Sequence, residues 1–132
     1  MGPRALEAYE AAGKAASSNR ELEAAALFKA ARRLETVRQE WDSPDRTERL
    51  QDALRYNQRL WTFFQAELSV PDHEMLTEVR VNLLRLSGFV DRRTFEILAA
   101  KEPVPDQLQV LIDINRNIAA GLSDKPNSPV RG

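Results

Sequence analysis

Seven prolines, at positions 3, 44, 71, 103, 105, 126 and 129, set the limits within which this chain can fold. A proline inside a helix removes a backbone donor and clashes with the preceding turn, so each one marks a helix boundary. The stretches between them are rich in Ala, Leu, Glu and Arg, and only Gly13, Gly88 and Gly121 fall within the part expected to fold. No Asn-Gly or Asp-Gly turn joins alternating segments, so hairpins have no signal. The chain reads as all-α: a single small helical domain of about five helices over residues 1–122, with a disordered tail over 123–132. That tail carries three charges, two prolines and almost no apolar side chain to offset the entropy of ordering it.

The first helix is expected over Ala5–Ala16, closed by Ser17-Ser18-Asn19, where Ser18 and Glu21 have the spacing of a capping box. A second runs from Asn19 to Trp41 with Leu22, Ala26, Leu27, Ala30, Leu34, Val37 and Trp41 at helical spacing. Ser43-Pro44 supplies a cap and a first-turn proline for the third, which ends near Leu68 and carries Leu50, Ala53, Leu54, Asn57, Leu60, Trp61, Phe64 and Leu68 on one stripe. The fourth spans His73 to Ala100. Its main stripe is Leu76, Val79, Leu83, Leu86, Val90, Ile97 and Leu98, widened by Val81, Leu84, Gly88, Phe89 and Phe95, a face broad enough to touch more than one neighbour. The last covers Asp106 to Ala120, with Leu108, Leu111, Ile112, Asn115, Ile118 and Ala119, and Gly121 fits a left-handed cap just past its end.

Composition removes most chemistry. Among 132 residues there are no cysteines and one histidine, so thiolate nucleophiles, disulfides and the usual zinc sites are absent, and no metal is expected. Phosphate-binding glycine loops and nucleophile elbows are missing as well. Acidic pairs such as Glu21 with Glu23, or Asp42 with Asp45, stand where helix N-termini attract carboxylates, so the helix dipole accounts for them. The sequence implies no enzyme, no catalytic residue and no cofactor.

Charge limits the partners. Arg20 to Arg59 contains nine basic against eight acidic residues, and Asp72 to Glu102 five against six, for a net charge of -1 over the whole chain. Tight binding to a phosphate backbone rests on a basic block, so direct contact with nucleic acid is not expected, although folding could gather Arg32, Arg33, Arg38 and Arg55 on one surface. The longest apolar run, Ala24 to Phe28, has five residues against the roughly 20 that cross a bilayer. The N-terminus shows neither a secretory pattern nor the Ser or Thr that myristoylation requires, Leu6 standing in its place. The expected location is the cytoplasm.

Three positions ask for a partner. Phe63 points away from the stripe that holds Leu60, Trp61 and Phe64, toward another helix or a binding partner. Asn57 and Asn115 each interrupt an apolar stripe, and a buried amide must be hydrogen-bonded, either across the fold or to a partner, or it costs about 1–3 kcal/mol.

Asn57-Gln58-Arg59-Leu60-Trp61, followed by Glu67-Leu68 and Pro71, resembles the central signature of the flagellar biosynthesis regulator FlaF family, small cytoplasmic α-proteins of flagellated alphaproteobacteria. Leu111 to Leu122 resembles that family's ending, and Ala8-Tyr9 with Arg20-Glu21-Leu22-Glu23 its opening. The departure is at His73-Glu74-Met75-Leu76-Thr77, which lacks the family's Asn-x-Leu-Pro turn. The resemblance implies a cytoplasmic flagellin-binding chaperone that promotes flagellin synthesis and export and acts opposite a FlbT-like regulator. The alternatives are a regulator of flagellin messenger RNA and a structural helical adaptor. The candidate partner-contacting residues are Asn57, Leu60, Trp61, Phe63, Phe64, Leu84, Phe89, Phe95 and Asn115.

Overall fold

A computed structural model describes the backbone of residues 3–70 and 77–123, with side chains from Asn19 onward. Four α-helices and one 3-10 turn account for nearly all of it: α1 (Pro3–Gln39), α2 (Arg46–Leu68), α3 (Thr77–Ala99), the 3-10 turn Pro105–Leu108, and α4 (Gln109–Ser123). No strand occurs among the described residues. None of these helices is long and apolar enough to cross a membrane.

The expected first and second helices are one. Ser17, Ser18 and Asn19 lie inside α1. Each costs only a few tenths of a kcal/mol relative to Ala in a helix interior, and without a proline between Pro3 and Pro44 nothing forces the backbone to stop. The chain leaves α1 at Gln39, two residues before the expected Trp41. Trp41 instead sits half-buried in the turn with the Arg46 guanidinium over its ring at 4.7 Å. The start of α2 also differs. Its N-cap is Asp45 rather than Ser43, and the Ser43 hydroxyl donates to the Asp45 carboxylate instead of capping a helix amide. At the far end of the chain, α4 continues through Gly121 to Ser123, so that glycine takes no left-handed cap. The expected start of the fourth helix at His73, its Leu76, and the tail beyond Ser123 lie outside the described residues.

The core sits where α1 meets α4. This is the most extensive contact among the described elements, and Ala24, Ala30 and Ala31 on the buried face of α1 let another helix come close. Leu27 and Leu34 of α1 are fully buried, as are Leu108, Leu111, Ile112 and Ala119 from the chain's last segment. Each such leucine or isoleucine contributes about 1.5–3 kcal/mol relative to exposure. Leu22, expected on this stripe, is 65% exposed.

α2 packs on α1 and on α3. α3 is the peripheral helix: among the described elements its extensive contact is with α2. The buried line is Ser87, Val90, Thr94 and Ile97, whereas Val79 and Leu98 of the expected main stripe are exposed. Ser87 and Thr94 are small enough for close approach, and a reading by hydrophobicity passes over them.

Gly88 lies in the middle of α3 with no backbone requirement for glycine, and a methyl group there would meet only the Arg92 guanidinium, at 3.7 Å. Glycine in a helix interior costs about 1 kcal/mol relative to alanine. Gly88→Ala should therefore raise the melting temperature by about 2–6 °C in dilute solution, measured by circular dichroism. A lower melting temperature would mean that the site is more crowded than this.

Candidate partner-binding surface and the polar lock beneath it

The four-residue spacing of Asn57 and Trp61 places both on the face of α2 that turns inward, and each is buried there. Asn115 projects inward from α4 and is also fully buried. Across the gap, the Trp61 indole N–H donates to Asn115 Oδ1 at 2.9 Å, and Asn115 Nδ2 donates to Asn57 Oδ1 at 2.6 Å. The backbones of α2 and α4 barely approach one another, so these long side chains form the link between them. The two asparagines whose need for a partner was open are thus each other's partner. Asn57 Nδ2 is left without an acceptor.

The aromatic segment of α2 divides in two. Trp61 and Phe64 are buried and meet edge to face at 5.8 Å between centroids, and Leu60 is half-buried against the core. Phe63 touches the Phe64 ring edge-on and is otherwise 56% exposed. On α3, Leu84 and Phe89 are half-buried, with the Arg93 guanidinium 5.6 Å from the Phe89 ring, whereas Phe95 is 71% exposed. Of the nine candidate residues, Asn57, Trp61 and Asn115 are drawn together as the lock, and Phe63 and Phe95 face solvent.

A basic cleft lies between α1 and α2, lined by Lys29, Arg32, Arg33, Arg49 and Asp52, with Lys29 and Arg49 outside the set that the sequence offered. It gathers Arg32 and Arg33 but lacks Arg38 and Arg55. Much of its charge is engaged. Lys29 and Arg33 lie over the Tyr56 ring, at 5.7 and 4.4 Å, and Arg49 pairs with Glu40 at 2.9 Å. Arg38 is held elsewhere by Glu35, and the hydrogen bond from Arg38 keeps the Glu35 carboxyl below its ordinary range. Among the described residues there is no group of His, Cys, Asp or Glu that could hold a metal ion.

The described residues form a small all-α domain. The sequence comparison gives the particular family: the flagellar protein FlaF pattern matches residues 5–122, and the chain belongs to that family. No curated protein and no solved structure matches the chain significantly. Two of the three segments that carried the resemblance, around Asn57 to Trp61 and around Asn115, are joined by the lock.

Two outcomes test this geometry. Asn115→Ala strands both the Trp61 N–H and the Asn57 oxygen, whereas Asn57→Ala strands one donor and removes an unpaired amide with it. By chemical denaturation Asn115→Ala should cost about 2–3 kcal/mol and Asn57→Ala about 1 kcal/mol. Equal costs, or none, would contradict the bonding pattern.

The second concerns Glu23 of α1, whose carboxyl is pushed above its ordinary range, first by burial and then by the Glu67 carboxylate on α2. The folded chain therefore holds that proton more tightly than the unfolded chain. Folding gains most below the ordinary carboxylate pKa and loses the gain as pH rises through the raised one. Glu67→Gln removes the repulsion, so its stability relative to the unaltered chain should rise between about pH 4 and pH 7. A difference that stays flat across this range would show that the two carboxyls do not interact.

Proposed function

We propose that this FlaF family member is a cytoplasmic, non-enzymatic chaperone that binds flagellin and promotes its synthesis and export, acting opposite a FlbT-like regulator. Membership of a flagellar family supports the setting. The observation that carries the reading is the outward placement of Phe63 and Phe95 on a domain whose core is already filled. Flagellin subunits have terminal segments that pair only in the filament, and before export these present apolar helical stripes that aggregate when uncovered. An exposed aromatic surface on a small α-domain covers such a stripe reversibly and requires no cofactor.

Purified protein should bind monomeric flagellin one to one by calorimetry. Phe63→Ser or Phe95→Ser should weaken that binding at least about tenfold with helical content intact, because an aromatic anchor carries about 2 kcal/mol or more. No affinity of the unaltered protein for any flagellin of its own organism would sink the chaperone reading in favour of a structural adaptor. The messenger RNA reading has the basic cleft of Lys29, Arg32 and Arg33 in its favour. Phosphate binding weakens steeply with salt, so a salt titration separates the two.

A further inference from the structure

α3 carries two parallel seams. The first, Leu83, Ser87, Val90, Thr94 and Ile97, is its buried side, packed toward α2. The second, Val81, Leu84, Gly88, Asp91, Phe95 and Leu98, has the same alternating spacing of three and four residues and lies about 100° further round the helix. Such spacing is that of a helix-pairing seam. Its apolar members are the exposed ones: Val81 at 37%, Leu98 at 38% and Phe95 at 71%, with Leu84 half-buried. Leu84 packs partly against the core and Asp91 reaches α2, while Val81, Phe95 and Leu98 are open to solvent.

We propose that this seam pairs with the same seam of a second copy of the chain, antiparallel, about a two-fold axis passing between Phe89 and Val90. An isologous contact requires a surface complementary to itself, and this one is. About that axis Val81 falls opposite Leu98, Leu84 opposite Phe95, and Gly88 opposite Asp91. The one charged member of the seam therefore meets the one residue without a side chain. The Arg92 guanidinium already lies beside Gly88, so it stands where Asp91 of the second copy arrives. Gln65 of α2 holds one oxygen of Asp91 at 2.9 Å and fixes the carboxylate at the edge of the seam. On the flank away from α2, Arg85 of one copy and Glu96 of the other carry opposite charge and lie two residues, about 3 Å, apart along the helix axis, within reach of two long side chains. Among the described residues Glu96 has only a long 3.8 Å pairing with Arg93. A parallel arrangement would instead set Asp91 against Asp91 and Phe95 against Phe95, and would leave a void at Gly88.

About this axis the two helices overlap over about 30 Å, at the low end of stable interfaces, so the dimer is a concentration-dependent one. Sedimentation of the purified full chain over about three decades of concentration spanning the micromolar range should show monomer passing to dimer. Phe95→Ser should weaken pairing at least about tenfold and leave the helical signal unchanged. Arg85→Glu and Glu96→Arg should each weaken it, and the two combined should restore the original affinity within about threefold, as coupled positions do. Three results would overturn the proposal: a monomer at every concentration, pairing unaffected by Phe95→Ser, or a charge-swapped chain no better than the single variants. Pairing is measured on the chain alone, so its failure leaves the flagellin reading standing, and the reverse holds too.

Discussion

Two asparagines and one indole tie α2 to α4, and the arrangement of the remaining helices depends on that tie. Asn57 and Asn115 occupy positions where leucine would bury more apolar surface. A pair of leucines tolerates a shift of one helix along another, whereas the chain from Trp61 through Asn115 to Asn57 closes in one arrangement only. In a low-dielectric interior such bonds are strong when made and costly when broken, so the lock selects one register at some expense in apolar burial.

Around this fixed pair the rest of the molecule grades outward. α1 and α4 form the dense part, with alanines at the contact and fully buried leucines beside them. α3 is attached through α2, and its contact side carries Ser87 and Thr94, whose buried hydroxyls have no hydrogen-bond partner. Unpaired buried hydroxyls weaken an interface, so α3 is held less firmly than the helices on the other side of the lock. The same helix bears the exposed seam with Phe95. Exposed apolar surface is thereby kept apart from the surface that packs the fold.

Much of this was legible in the sequence because proline has only one meaning inside a helix: Pro44, Pro103 and Pro105 all fall between the α-helices. Signals with two meanings misled. Ser18 and Glu21 have capping-box spacing, yet serine and glutamate are also tolerated mid-helix, and α1 runs straight through them. Gly121 suits a left-handed cap but can equally extend a helix, and it does. For the site, periodicity was enough to show that Asn57 and Asn115 need partners and that Phe63 leaves the main stripe. It could not pair residues 58 apart in the chain, because that depends on how two helices meet across α1. The burial of Ser87 and Thr94 escaped for a related reason: side-chain size, rather than polarity, decides which residues fit a close helix contact.

The chain contains its own control for the lock. Trp61 and Trp41 are its two tryptophans; one indole is buried and bonded to Asn115, and the other sits half-buried in the turn after α1. Hydrogen exchange of the two indole N–H groups, followed by nuclear magnetic resonance, reads the difference directly. The Trp61 proton should exchange no faster than the slowest backbone amides of α1 and α4, through global unfolding, while the Trp41 proton is lost early. Exchange at Trp61 as fast as at Trp41, with the core amides still protected, would show that α2 and α4 part without unfolding the domain and that the lock does not hold them.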